Sequence, residues 1–268
     1  CTKVIVINPE REYKLLTESV KGTYIKLSAK SKQKINPFDL ATTFHKISDL
    51  SEHAQDLTEV ISLMAEGLSS REKAAVDKAI LTIYKRAKKE QPLLEDLYAE
   101  LQKLGQLKLC ERLEKYISGS LSEVFNAQTN IKLDNRLVIF DIKDLPESLR
   151  QIMMLIISNF VKNQVMAKPE KRLLIIDEGW MLLEHEESAR FVAGLVRRAR
   201  KYYLGVSIIS QQANDFLRSD YGRAIASQSA LRILMRQDTT TIKNVVSEFN
   251  LSEYEQQFLL TCERGDAL

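Results

Sequence analysis

The sequence predicts an α/β protein, a parallel sheet with helices on both faces, interrupted by an all-helical segment. Three observations carry this. Short runs of apolar, mostly β-branched residues recur near both ends of the chain, separated by helix-length segments; that alternation builds parallel sheets. From about Thr42 to Asn126 strand signals vanish and only a 3.6-residue period remains. The composition, 44% hydrophobic and 28% charged over 268 residues, is that of a packed globular chain. At roughly 150 residues per domain the length suits one large domain or two modest ones. The expected division is 1–43 as the first part of an α/β core, 44–126 as an all-α insertion, and 127–268 as the second part of the core.

In chain order, Val4-Ile5-Val6-Ile7 reads as a strand buried on both faces, stopped by Asn8-Pro9. A second strand fits Thr23 to Leu27, and the lysines at 26, 30, 32 and 34 then mark a solvated loop. In the middle segment Ser69 and Glu72 form a capping box. The helix that follows sets Val76, Ile80, Ile83 and Ala87 on one stripe. Pro92 opens another helix with Leu94, Leu97, Leu101 and Leu104 aligned. Gly105 interrupts before Leu109, Leu113, Tyr116 and Ile117, and Gly119 ends that stripe. Such stripes pack on one another in a small bundle. Alternation then returns. Strands are expected at Arg136–Ile142, Arg172–Asp177, Leu204–Ser210 and Ala230–Met235, with helices at Ser148–Met166 and Glu187–Tyr203. Asp238 should cap a helix bearing Ile242, Val245, Val246 and Phe249, and Ser252 with Glu255 is a second capping box.

Several classes are excluded. With 9 Gly and 5 Pro, collagen-like and low-complexity readings fail. A net charge of +3 lacks the basic excess usual in nucleic-acid binders, although it permits a local basic patch. The 3 cysteines (Cys1, Cys110, Cys262) and 3 histidines (His45, His53, His185) are scattered, with no zinc-ligand or disulfide spacing. That usage fits a reducing compartment. No apolar run approaches the about 18 residues of a membrane span. The opening strand without an initiator Met, and a closing turn at Arg264–Leu268, read as a piece of a longer chain.

The sharpest local signal is Leu173-Leu174-Ile175-Ile176-Asp177-Glu178: a buried strand with two carboxylates at its C-terminal end, where open parallel sheets bind ligands. In nucleotide hydrolysis the first carboxylate can hold Mg²⁺ through water and the second can orient and polarise the attacking water. The same residues could equally be an acidic turn or a helix cap. The strand Leu204–Ser210 ends in Gln211, one helical crossover beyond Asp177. An amide there can sense a terminal phosphate, donating to it and accepting from water. Arg197-Arg198-Ala199-Arg200-Lys201 closes the intervening helix, with Leu195, Val196 and Ala199 turned inward. These cations suit a solvated helix C-terminus, an arginine finger or a DNA-phosphate contact, and the sequence does not separate the three. No G-x-x-x-x-G-K-[ST] loop occurs. The expectation is that such a loop lies upstream of Cys1.

"VIVINPEREY" (Val4–Tyr13), "NPFDL" (Asn36–Leu40), "VIFDIKDL" (Val138–Leu145), "LLIIDEGWMLL" (Leu173–Leu183), "RRARKYYLGVSIISQQ" (Arg197–Gln212) and "CERGDAL" (Cys262–Leu268) occur in this order. Together they resemble the large ATPases of bacterial type IV secretion and conjugation machines, the VirB/TraC class within the FtsK/HerA group of RecA-like P-loop motors. The resemblance covers both α/β segments, and the all-α insertion also has a counterpart there. It implies ATP and Mg²⁺ as cofactors, with Asp177 serving Mg²⁺ through water, Glu178 as the catalytic carboxylate and Gln211 as the sensor. Arg197, Arg200 and Arg264 fall where phosphate contacts or trans-acting arginines are sought. Trp180, the only Trp, would pack beneath the site. The implied partners are further copies in a hexamer, a coupling protein and inner-membrane channel subunits, with DNA as a possible ligand. The implied location is cytoplasmic, at the inner face of the cell membrane, held there through partners. Two departures stand out: Asn8, where relatives often carry Asp, and the absent phosphate loop, without which this chain alone should bind ATP poorly. The alternative is a DNA-translocating motor or coupling protein, marked by Lys and Arg on pore loops. A non-catalytic scaffold is disfavoured by intact Asp177, Glu178 and Gln211.

Overall fold

Strand β1 (Lys3–Asn8) is the centre of a five-stranded, wholly parallel sheet in the computed structural model. Its neighbours are β3 (Leu137–Asp141) and β4 (Arg172–Ile176); β2 (Thr23–Lys26) and β5 (Leu204–Ile208) are the outer strands, in the order β2-β3-β1-β4-β5. Ile5, Val6 and Ile7 are buried, as a central strand covered on both faces requires. The register pairs Asn8 with Asp141 and Ile7 with Ile176, and the Asp177 N–H donates to the Ile7 carbonyl at 3.1 Å. Asn8, Asp141 and Asp177 therefore line one C-terminal edge. The structure describes residues 2–40, 47–87, 90–119 and 121–268; Cys1, His45 and the expected 43/44 boundary lie outside them.

The middle segment forms α2 (Ile47–Met64), α3 (Ser70–Arg86), α4 (Leu94–Lys103), α5 (Leu107–Ile117) and the short α6 (Ser122–Phe125). The Ser69 capping box is present: Ser69 Oγ accepts the Glu72 N–H, and Glu72 accepts the Ser69 N–H at 2.8 Å. Val76, Ile80 and Ile83 are buried as expected. Ala87 is not on the stripe. The helix stops at Arg86 and Ala87 is its exposed C-cap. Gly105, at φ +69°, lets the chain leave α4 while Gln106 N–H reaches the Leu101 carbonyl at 3.0 Å. Tyr116 packs edge-on against Phe125 with ring centroids 5.4 Å apart. An additional helix, α1 (Lys14–Ser19), escapes pattern reading because Leu15 and Leu16 are exposed and leave no inward stripe.

Helix α7 (Glu147–Ala167) is buried nearly all round. It carries one buried cation, Lys162, whose ammonium lies 2.6 Å from Glu52 and 2.5 Å from Asp56 of α2; Arg198 also reaches Glu52 at 3.2 Å. Burial pushes the Asp56 carboxyl up, with Lys162 recovering only part. Burial acts the same way on Glu52, but there Lys162 and Arg198 outweigh it and leave the carboxyl low. Beside them His53 is buried between Tyr84 Oη, at 2.7 Å, and the Asn163 amide, at 3.3 Å.

The chain divides into two compact units, Cys1–Asp177 with Arg198–Ile208, and Glu178–Arg197 with Ile209–Leu268. The division falls at the end of β4. The second unit contains α8 (Trp180–Leu183), most of α9 (Glu186–Ala199), α10 (Asn214–Leu217), α11 (Asp220–Gln228), α12 (Ile242–Phe249) and α13 (Glu253–Thr261). Ile242, Val245 and Leu259 form its small core. Gly222 is required there, since a Cβ would stand 2.3 Å from the Phe216 carbonyl oxygen. The strand expected at Ala230–Met235 is absent. Its partner is limited to an antiparallel bridge between Met235 and Ala267, and Leu231 (76% exposed) and Ile233 (64%) face solvent. An apolar run becomes a strand only where neighbouring strands satisfy its backbone. Asp238 caps a turn leading into α12, accepting the N–H groups of Thr240 and Thr241. The second capping box, Ser252 with Glu255, is formed. Among the described residues no helix is long and apolar enough to cross a membrane.

Candidate functional site

In the first unit, the loop after β1 is shaped by its own side chains. Asn8 Oδ1 accepts the N–H groups of Glu10 and Glu12, both at 3.3 Å, so its amide orientation is fixed. Arg11 sits at φ +64°, a left-handed conformation that a non-glycine residue holds only when its surroundings impose it. Here they do: Arg11 Nε donates to Asp141 at 2.6 Å and Nη2 to Asp144 at 2.5 Å. Those hydrogen bonds raise the Arg11 pKa and hold it as a cation. Asp141, 1% exposed, also accepts Tyr24 Oη at 2.7 Å and the Lys143 N–H at 2.9 Å. A buried carboxylate with that many donors is a structural clamp.

The loop delivers Tyr13, whose carbonyl accepts both the N–H and the hydroxyl of Thr17. The Tyr13 phenol is pushed up to about 12, first by burial and then by the charge of Asp177 and the hydrogen bond it donates to that carboxylate. Asp177 is buried, with its backbone fixed on β1.

In the second unit, Glu178 opens the turn after β4 at φ +51°. The Gly179 N–H donates to the Ile209 carbonyl at 2.7 Å, closing the turn. Both Glu178 carboxylate oxygens are engaged: Oε2 accepts Trp180 Nε1 at 2.7 Å and Oε1 accepts Gln211 Nε2 at 2.8 Å. Glu178 and Gln211, singled out separately in the sequence, are thus directly bonded. Trp180 holds the carboxylate through its indole N–H.

The candidate arginines are all exposed. Arg197 and Arg200 are exposed at the C-terminal end of α9 and in the 3₁₀ turn Arg200–Tyr202, and Arg264 is exposed in the turn before Gly265. None of the three takes part in an ion pair among the described residues. The inward positions Leu195 and Ala199 are buried and Val196 is half-buried. Sequence reading missed Asp141, which the same strand-tip rule that found Asp177 would have flagged, and Tyr13, for which no local pattern exists.

The residues suit a nucleotide-borne Mg²⁺. Among the described residues no group of three or more His, Cys, Asp or Glu could cage a metal. Mg²⁺ carried by a nucleotide needs only one or two carboxylates, the phosphates supplying the rest. Beside Asp177 in the register, Asn8 Nδ2 is buried without a hydrogen-bond partner, a donor suited to water or to an anion.

The TraG P-loop domain family matches residues 1–267. The type IV secretion system protein VirB4 of Bartonella quintana is 26% identical over 152 residues, covering 55% of this chain and 19% of that protein. TraC of Escherichia coli K12 is 24% identical over 259 residues, covering 84% of this chain and 28% of TraC. The chain thus spans well under a third of these relatives. Among solved structures, VirB4 of Thermoanaerobacter pseudethanolicus superposes with a TM-score of 0.84 at 26% identity, over 98% of this chain and 77% of that one. The bacterial conjugative coupling protein TrwB superposes with a TM-score of 0.58 at 11% identity, over 90% of this chain and 63% of that one, a likeness of fold alone. The sheet and its helices are those of the RecA-like P-loop fold.

Proposed function

The chain belongs to the TraG P-loop domain family of type IV secretion and conjugation ATPases, and from that premise we propose that it is the hydrolytic core of a motor that spends ATP on building a secretion channel or pilus and moving substrate through it. The observation that carries the reading is the hydrogen bond between Glu178 and Gln211, which joins a strand-tip carboxylate to a sensing amide.

In this reading Asp177 holds the cation through water. Bound Mg²⁺ would neutralise charge on the terminal phosphates. Glu178 accepts a proton from the attacking water and aligns it; the Trp180 indole keeps its carboxylate in one orientation. Gln211 Nε2 is the donor a terminal phosphate oxygen would claim. Its transfer from Glu178 to that oxygen frees the carboxylate for water and reports the nucleotide state to the segment after β5. Asn8 Nδ2, at the sheet edge beside Asp177, is a further donor. Arg197, Arg200 and Arg264, being exposed, are candidates to reach the nucleotide of an adjoining copy.

No G-x-x-x-x-G-K-[ST] loop exists in these 268 residues, so the reading needs that loop in the longer protein and expects little turnover from this chain alone. Copies of itself, a coupling protein and inner-membrane channel subunits are the partners proposed, at the cytoplasmic face of the cell membrane. The helical segment 44–126 carries no strand-tip carboxylate, and we assign it to partner contact or mechanical output. The test is Mg²⁺-dependent ATP binding by the full-length protein. Asp177→Asn should weaken it several-fold while leaving Mg²⁺-free binding unchanged; an unaltered Mg²⁺ requirement would remove Asp177 from the site.

A further inference from the structure

We propose that the N-terminal edge of the parallel sheet is a face that docks directly on an anionic phospholipid surface. The contact needs no partner protein and is independent of the nucleotide chemistry above, which belongs to the opposite edge.

The sheet itself gathers the cations. Parallel strands in matched register begin at one level: Lys3 pairs with Arg172, Arg172 with Leu204, and Val4 with Leu137. The residues just ahead of the strands are tied across that level. The Lys3 N–H donates to the Lys171 carbonyl at 3.0 Å, the Val4 N–H to that of Arg136 at 2.7 Å, and the Arg172 N–H to that of Tyr203 at 3.1 Å. Asn135 Nδ2 reaches the Lys21 carbonyl at 3.0 Å and adds the entry to β2. Arg172 Nη1 donates to the Lys168 carbonyl at 2.7 Å and adds the end of α7. Lys3, Lys21, Arg136, Lys168, Lys171 and Lys201 therefore share one edge. All are exposed except Lys3, whose side chain is 25% exposed. The segments that enter β2, β3, β4 and β5, residues 20–22, 134–136, 168–171 and 200–203, contain two carboxylates, Asp134 and Glu170. Glu170 is shared by Lys3 at 3.1 Å, Lys168 at 2.6 Å and the buried Arg172 at 3.4 Å, so even there cations outnumber the acid. At the opposite edge cations and carboxylates are matched: Arg11 with Asp141 and Asp144, Lys26 with Asp144, and Lys143 and Arg150 with Glu10.

Lysine is depleted from protein–protein interfaces, so this surplus suits a polyanion. Between nucleic acid and bilayer, shape decides. Single strands are held in grooves where several aromatic side chains stack on successive bases. Here the strand ends lie flush across roughly 20 Å, and Tyr203, 64% exposed, stands at the end of the row. Tyrosine with nearby lysine is common at the bilayer–water boundary. A flush face lets all of these cations meet one plane of headgroups at once. Neighbouring strands are about 4.8 Å apart, less than the Debye length of about 8 Å at physiological salt, so the cations act as one patch. Docked this way, the strands run away from the bilayer and carry the carboxylate-bearing edge to the side facing solvent.

The experiment is co-sedimentation of the full-length protein with vesicles of phosphatidylcholine, with and without phosphatidylglycerol, beside binding of a fluorescent single-stranded oligonucleotide. Wild type is compared with the triple variant Lys21→Gln, Lys168→Gln, Lys171→Gln. A second triple variant, Lys30→Gln, Lys32→Gln, Lys34→Gln, removes the same charge from the loop after β2, at the opposite edge. Melting temperature is recorded for each. A cation close to an anionic surface contributes roughly fivefold in partitioning. Binding should therefore require phosphatidylglycerol and fall on the order of 10²-fold in the first variant, with little change in the second. It should also weaken as salt shortens the Debye length toward about 3 Å at 1 M. Equal binding to both kinds of vesicle overturns the proposal, and so does a first variant that binds like wild type. An equal loss in the two variants also overturns it, because net charge and not this face would then be responsible. A first variant that keeps the vesicles but loses the oligonucleotide makes the edge a nucleic-acid surface and overturns it too. Should the first variant melt far below wild type, Lys21→Gln and Lys171→Gln are measured singly. A roughly fivefold loss in each is then expected, and no loss in either overturns the proposal.

Discussion

Lys162→Met isolates the contact that ties the helical insertion to the sheet-covering helix. The wild-type ammonium is 5% exposed and lies 2.6 Å from Glu52 and 2.5 Å from Asp56. Glu52 would not be stranded by its removal, since Arg198 remains at 3.2 Å and Glu52 is itself 30% exposed. Asp56 would be. It is 8% exposed and no other cation is paired with it among the described residues. Breaking a buried pair from one side costs about 3–5 kcal/mol, which for a body of this size is on the order of 10 °C in melting temperature. The pH dependence follows from Asp56. A carboxyl whose folded pKa is raised costs stability above that pKa and recovers it as pH falls and the proton binds. Burial already raises Asp56 with Lys162 present, and the variant raises it further. The loss should therefore be largest at neutral pH and shrink as pH falls and Asp56 takes up its proton. Adding Asp56→Leu should recover most of the loss, because an apolar pair of similar volume leaves no unpaired charge. Urea unfolding by circular dichroism, with hydrogen exchange at α2 and α7 amides, reads all three. A loss below about 1 kcal/mol at pH 7, or a double variant no more stable than the single, would refute the reasoning.

Two further outcomes follow from the same region and its connection to the rest of the chain. His53 is pushed down to about 3 by burial and then by Lys162, against an ordinary 6.5, so it folds neutral. Its contribution is complete above pH 6.5 and is lost as pH falls toward 3, with a slope of up to about 1.4 kcal/mol per pH unit. Comparing urea midpoints between pH 7 and pH 5, His53→Gln should flatten the dependence by roughly that slope, and an unchanged dependence would mean His53 is charged when folded. Replacing residues 47–126 by a short linker, together with Lys162→Met so that no buried cation is stranded, should leave nucleotide binding by the full-length protein measurable and impair transfer of substrate. Loss of nucleotide binding from a still-folded core would put the insertion in the site.

The legible parts of this chain were those where local pattern and tertiary role coincide. Val4–Ile7 and Leu173–Ile176 are apolar on both faces, and only a central parallel strand uses such a run. Both Ser-x-x-Glu boxes formed because their partners lie three residues apart. The position of Asp177 was legible because it directly follows a buried strand, which puts it at the sheet's C-terminal edge. What stayed hidden depends on residues far apart in sequence. The phenol on Asp177 comes from Tyr13, and the clamp on Asp141 from Arg11 and Tyr24. Lys162 is paired with Glu52 and Asp56 of α2, which lie 110 and 106 residues away in sequence. Ala230–Met235 misled for the opposite reason: its pattern is strand-like, but beyond a bridge at Met235 it has no neighbouring strand to pair with among the described residues.

The most direct measurement is ATP turnover by the full-length protein carrying Glu178→Gln, read beside its ATP affinity. Glutamine keeps the shape and, through its one carbonyl oxygen, can accept from either Trp180 or Gln211 but not from both at these two positions, and it cannot take a proton from water. Binding should be spared and turnover should fall on the order of 10²-fold or more. Near-normal hydrolysis in that variant would contradict the role given to Glu178 and, with it, the assignment of this strand tip as the catalytic edge.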